Sequence, residues 1–117
     1  MIATAQERKR GGRASRDKGN RLERAVVHLL QNHGLGAERI PLSGSAGGSF
    51  CGDVTTPLIG VGRTIECKSR KDAFRELYGW LQNRDILVLK SDRQNALVVL
   101  RLGLAVEIAV AAERRKP

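Results

Sequence analysis

Three charged residues in the middle of the chain have the types and spacing of a metal-dependent site that acts on phosphates. Asp53 opens one β-branched run, and Glu66 and Lys68 stand two positions apart at the end of another. Because residues i and i+2 of a strand point to the same face, Glu66 and Lys68 are expected to project side by side. Two carboxylates beside a lysine can hold a divalent cation and orient a water next to a phosphate.

Alternating helix and strand patterns predict the scaffold that positions these residues. Strands are predicted over residues 37–42, 50–56, 62–68, 85–90 and 96–100, and helices over residues 20–32, 72–83 and 102–113. The order α-β-β-β-α-β-β-α places the chain in the α/β class, with a central mixed β-sheet flanked by helices. A pairing of the second and third strands would bring Asp53 back against the Glu66 segment.

The first predicted helix begins at Asn20 as its N-cap and ends at Gly34 as its C-cap. Its apolar residues recur with helical spacing at Leu22, Ala25, Val26, Leu29 and Leu30. Glu23 adjoins this stripe, where a carboxylate is costly unless it has partners. Either a capping interaction with the start of the helix or a place in the metal site would supply them.

Phosphodiester cleavage needs stabilised phosphate charge, an activated water and a neutralised leaving oxygen. Mg²⁺ suits this chemistry because it prefers carboxylate and carbonyl oxygens, and Mn²⁺ is expected to substitute for it. The predicted metal ligands are Asp53, Glu66, the backbone carbonyl of Cys67 and, from the first helix, Glu23. Lys68 is expected to donate to the phosphate or to the attacking water, favouring hydroxide. In the alternative interpretation, Glu66 and Lys68 form only an exposed ion pair.

A glycine-rich loop over residues 43–49 precedes Asp53. It lacks the Gly-Lys-Ser/Thr ending of a nucleotide-binding P-loop, which excludes that function. Ser43 could supply a hydroxyl to the site. The spacing of the possible ligands Cys51, Cys67, His28 and His33 disfavours a zinc site. We expect the two cysteines to be reduced, as in a cytoplasmic protein.

Composition indicates a nucleic-acid partner. The 117 residues carry a net charge of +9, which favours a polyanion and DNA or RNA ahead of a membrane surface. We predict a flexible basic arm over residues 1–18 and one domain over residues 19–117. No apolar stretch is long enough to span a bilayer, and the N-terminus shows no secretory signal. The residues predicted to lie near DNA are Arg21, Arg24, Arg39, Arg70, Lys71 and Arg75.

Four short stretches, in order and spacing, resemble one nuclease family. Residues 18–24, 41–44, 52–54 and 65–69 are similar to the corresponding motifs of archaeal-type Holliday junction resolvases, which belong to the PD-(D/E)xK nuclease superfamily. The resemblance covers residues 18–100. One departure is Gly52, which stands where the superfamily motif has proline, a residue that carries no chemistry.

The resemblance implies a restriction-endonuclease-like core, Mg²⁺-dependent hydrolysis and a homodimer with two active sites. It places Glu23, Asp53, Glu66 and Lys68 on catalytic positions, with Ser43 near an active-site hydroxyl. The expected substrate is a four-way DNA junction. Two alternatives stay open at this point: a nuclease of the same superfamily that cuts flaps, forks or other DNA, and a non-catalytic basic module that only binds nucleic acid.

Overall fold

The protein is described by a computed structural model that covers the backbone of residues 5–40 and 53–115 and the side chains of residues 18–40 and 53–115. Its elements, in chain order, are α1 (Ala5–Asn32), β1 (Glu38–Arg39), β2 (Val54–Leu58), β3 (Val61–Ile65), α2 (Arg75–Leu81), β4 (Ile86–Leu89), β5 (Leu97–Leu100) and α3 (Leu102–Arg114). The predicted order of helices and strands is confirmed. The chain divides into two compact units, residues 1–70 and 71–117.

Helix α1 begins at Ala5, well before the predicted start at Asn20. The preceding stretch is rich in Arg, Lys, Gln, Glu and Ala, which are good helix formers, and the pair of glycines within it does not end the helix. Asn20 therefore lies inside the helix, and its predicted role as N-cap is wrong. The division of the chain into an arm and a nuclease domain stays a prediction.

The end of α1 is closed by a glycine in the left-handed conformation, as predicted. Gly34 has φ 81°, and its N–H donates to the carbonyl of Gln31 at 3.0 Å. The N–H of Leu35 donates to the carbonyl of Leu30 at 2.9 Å, which completes a Schellman motif. Leu30 and Leu35 are both buried, so the cap also turns the chain into the core of the first unit.

In the first unit, three strands form an antiparallel sheet in the order β1-β2-β3. The β2–β3 turn consists of Ile59 and Gly60, both with positive φ (53° and 75°), as a type I′ hairpin requires. This turn sets the register that pairs Val54 with Ile65 at the far end of the hairpin. The core of the unit is formed by Val26, Val27, Leu30, Leu35, Ala37, Val54 and Thr56.

In the second unit, β4 and β5 form a separate antiparallel hairpin, with α2 and α3 in the same unit. The described strands thus pair antiparallel in two sheets, and the predicted single mixed sheet is not found among them. For β2–β3 and β4–β5 the antiparallel pairing has a local reason, because each pair is joined by a short connection that allows no other. Within the described ranges, no helix has the length and apolar character needed to cross a membrane.

Candidate active site

Asp53 directly precedes β2 and is held by backbone hydrogen bonds on both sides. The N–H of Ile40 donates to the Asp53 carbonyl at 3.0 Å, and the N–H of Asp53 donates to the Ile65 carbonyl at 2.8 Å. The Asp53 carboxylate accepts a third bond, from the N–H of Cys67 to Oδ2, at 2.7 Å. The carboxylate is therefore directed at the segment that follows β3, where Glu66 and Lys68 lie.

Glu66 and Lys68 lie just beyond the end of β3, in the segment bound by Asp53. Nζ of Lys68 is 3.1 Å from Oε1 of Glu66, and the two side chains are 56% and 53% exposed. An ion pair this exposed contributes at most about 1 kcal/mol to stability. Either side chain can therefore exchange its partner for a cation or a phosphate at small cost.

Glu23 lies on α1 in the same unit and is bound by an arginine of β1. Nε and Nη2 of Arg39 are 3.0 and 2.8 Å from Oε2 of Glu23. Nη2 of Arg39 also donates to Oδ1 of Asn20 at 2.9 Å. The Glu23 side chain is only 14% exposed. Its partner at the edge of the core is thus an arginine, and the capping interaction considered from the sequence is wrong.

The pKa of the Cys67 thiol is raised by its surroundings. Burial raises the pKa of this free cysteine, and the negative charges of Asp53, Glu23 and Glu66 raise it further. The same three acidic residues that the sequence singled out therefore act together on one side chain. Negative charge gathered in this way is what a divalent cation would neutralise.

The donor set fits a hard divalent cation in kind. Asp53 and Glu66 offer carboxylate oxygens. Cys67, between Glu66 and Lys68 in the sequence, offers its backbone carbonyl oxygen. No group of three His, Cys, Asp or Glu side chains is arranged to hold a metal within the described ranges. Such a group is not required, because Mg²⁺ commonly takes one or two carboxylates and fills its other positions with waters and phosphate oxygens.

The residues predicted to contact DNA divide into two groups. Arg39 is engaged by Glu23, although its side chain is 42% exposed. The others are exposed: Arg21, Arg24 and Arg70 in the first unit, Lys71 and Arg75 in the second. Their described bonds are short-range, such as Arg24 Nε to the Asn20 carbonyl at 3.3 Å and Arg70 Nη1 to the Ser69 carbonyl at 2.9 Å. Contact with DNA stays a prediction for all of them. Ser43, Cys51 and the glycine-rich loop lie outside the described residues.

Two features of the site were missed in the sequence. Asn20 and Glu23 are three positions apart, a spacing that puts both on one face of a helix, and this could have marked them as a pair. Arg39, which binds both, lies on β1. The local sequence pattern does not determine which residue of that strand faces a given position of the helix. The bond between the Cys67 N–H and Asp53 was likewise not predicted.

Comparison with known proteins identifies a family. The family model for archaeal Holliday junction resolvase (Hjc) matches residues 14–100, a stretch that contains Glu23, Asp53, Glu66 and Lys68. No curated protein and no solved structure shows significant similarity to the chain.

Proposed function

Since the chain belongs to the archaeal Holliday junction resolvase family, and is thereby a nuclease, we propose that it is a Mg²⁺-dependent endonuclease that resolves four-way DNA junctions. Nucleases of this family generally depend on a divalent metal. The proposal includes paired hydrolysis of two opposing strands by a homodimer. The observation that supports a nuclease site is the hydrogen bond from the Cys67 N–H to Asp53 Oδ2 at 2.7 Å, which fixes a carboxylate beside the Glu66–Lys68 pair.

The chain's residues have separate tasks in this proposal. Asp53, Glu66 and the Cys67 carbonyl would hold Mg²⁺, with Glu23 as a further ligand of the ion or of a water. The ion, when bound, supplies a positive charge that stabilises the phosphate oxygens. The Cys67 N–H keeps Asp53 in one orientation before substrate arrives. Lys68 donates from Nζ to a phosphate oxygen or to the attacking water, and its charge favours the deprotonated form of that water.

Binding of the junction is proposed to rest on phosphate contacts. The chain has a net charge of +9, and Arg21, Arg24 and Arg70 are exposed in the unit that contains the candidate site. Contacts to phosphates fix position without reading bases, so selectivity would come from the shape of the branched DNA. A two-fold homodimer would match the pseudo-two-fold symmetry of the junction and present one site to each opposing strand.

A cleavage assay on a four-way junction, a flap and a linear duplex, run side by side with Mg²⁺, tests the proposed substrate. We expect the junction to be cut much faster than the other two. Equal cutting of all three would contradict a resolvase and favour a nuclease with broader substrates. Tight binding without any cleavage, unaffected by Mg²⁺, would identify a non-catalytic binding module.

A further inference from the structure

Arg39, whose side chain is 42% exposed, is bound by two acceptor side chains of α1. Two of its nitrogens converge on Oε2 of Glu23, at 3.0 and 2.8 Å, and Nη2 also reaches Oδ1 of Asn20 at 2.9 Å. Both partners lie on α1, one helical turn apart. The planar guanidinium therefore spans a fixed pair of acceptors on one helix face.

The position of Arg39 in the sheet connects this contact to the candidate site. The Cα partner of Arg39 is Val54, the residue after Asp53. Ile40, which follows β1 directly, donates its N–H to the Asp53 carbonyl at 3.0 Å. Two consecutive residues thus provide the side chain that holds Glu23 and the backbone N–H that holds Asp53.

We propose that Arg39 is a positioning residue that holds the Glu23 carboxylate beside Asp53, and not a contact to DNA phosphate. The inference rests on the proposed nuclease function and deepens it at the same site. A phosphate that took the guanidinium would leave Glu23, whose side chain is 14% exposed, without the arginine that binds it. That exchange is unfavourable, because a partly buried charge stripped of its partner is costly.

A double-mutant cycle tests the inference on the full-length protein. The variants are Arg39→Gln, Glu23→Gln and the two combined, and the readout is the single-turnover rate of junction cleavage with saturating Mg²⁺ and enzyme. Loss of a residue that orients a ligand typically reduces activity by about 10- to 100-fold, and we expect Arg39→Gln to fall in that range. In the Glu23→Gln background, Arg39→Gln should change the rate by no more than about twofold, because Arg39 then has nothing left to position. Junction binding without metal should be unchanged by Arg39→Gln.

Two further variants separate positioning from phosphate contact. Arg21→Gln is the matched control, since it removes the same charge from an exposed site on α1; it should weaken binding and lower the salt dependence. Arg39→Lys should bind the junction normally yet stay slow, because a single ammonium does not reproduce the guanidinium geometry. Weaker metal-free binding by Arg39→Gln, restored by Arg39→Lys and additive with Glu23→Gln, would overturn the inference.

The outcomes distinguish this inference from the proposed function. If the wild type does not cut the junction, or cuts as well with Asp53→Asn, the nuclease proposal fails and the inference fails with it. If cleavage depends on Asp53 but the cycle is additive, only the role of Arg39 is wrong. Circular dichroism checks folding. Should Arg39→Gln unfold, Asn20→Ala takes its place: it removes the second acceptor, and the inference requires slower cleavage with unchanged binding.

Discussion

Two substitutions of Asp53 should separate its structural task from its chemical one. Oδ2 of Asp53 accepts the N–H of Cys67 at 2.7 Å in a partly buried position. Asp53→Ala removes the acceptor and leaves that N–H without a partner. Asp53→Asn keeps an oxygen of nearly the same shape, so the bond survives with a neutral acceptor. Both variants lose the negative charge that a cation requires.

The expected stability changes follow from the kind of hydrogen bond that is lost. A backbone N–H that loses a partly buried acceptor costs about 1–3 kcal/mol, so Asp53→Ala should lower the free energy of unfolding by about 2 kcal/mol. Replacing a charged acceptor by a neutral one should cost about 1 kcal/mol or less. Cleavage should be abolished in both variants, because neither retains the carboxylate.

Urea unfolding and junction cleavage, measured on the same preparations, check this prediction. Metal-free junction binding serves as the control that the DNA surface is intact, and it should survive both substitutions. The reasoning would be refuted if Asp53→Ala were as stable as the wild type, since the Cys67 bond would then contribute nothing. Cleavage by Asp53→Asn would refute the chemical task assigned to the carboxylate.

Three further predictions concern other residues of the first unit. Lys68→Ala should reduce the single-turnover cleavage rate by at least about 100-fold, since it removes a charged donor from the reacting phosphate. The free energy of unfolding in urea should change by less than about 1 kcal/mol, because the lost salt bridge is exposed. In a Cys51→Ser background without metal, the rate of Cys67 alkylation should rise only at a pH above the ordinary thiol range, because the pKa of Cys67 is raised. Asp53→Asn removes one of the negative charges that raise this pKa, so the rise in rate should move to lower pH. An unchanged pH dependence would contradict the assigned cause. Thr56 is fully buried and its hydroxyl has no partner among the described residues, so Thr56→Val should raise the free energy of unfolding by about 1 kcal/mol; a destabilised variant in thermal or urea unfolding would show that the hydroxyl is bonded.

Local patterns predicted the elements well where the signal is contained in a short stretch. The glycine that closes α1 lies where the sequence placed it. Strands β2 and β3 are found near the predicted positions, but β2 extends to Leu58 and β3 ends at Ile65, so Glu66 and Lys68 follow the strand that was predicted to carry them. Pairing of the two strands brings Asp53 to the segment after β3. Register follows from the turn at Ile59 and Gly60, since that turn fixes which residues face each other. The meeting of Asp53 with the Glu66 segment was therefore predictable without any other part of the fold.

The start of α1 was misplaced because Asn20 has the side chain of a capping residue, while the good helix formers directly before it continue the helix. Other features depend on distant parts of the chain and were not predictable from local patterns. The contact of Arg39 with Glu23 was not predicted, since the charge of Arg39 is visible in the sequence and its neighbour on α1 is not. The expected mixed sheet was an inference from the order of elements, which does not specify how separate hairpins join.

Cleavage of a supercoiled plasmid carrying an extruded cruciform tests the central proposal most directly. With Mg²⁺, paired hydrolysis of opposing strands within one binding event should convert the plasmid to its linear form with little nicked circle, and Asp53→Asn should leave it supercoiled. Accumulation of nicked circle alone would contradict paired cutting. Undiminished cleavage by Asp53→Asn, or no cleavage by the wild type, would contradict the assignment of this site as the nuclease centre.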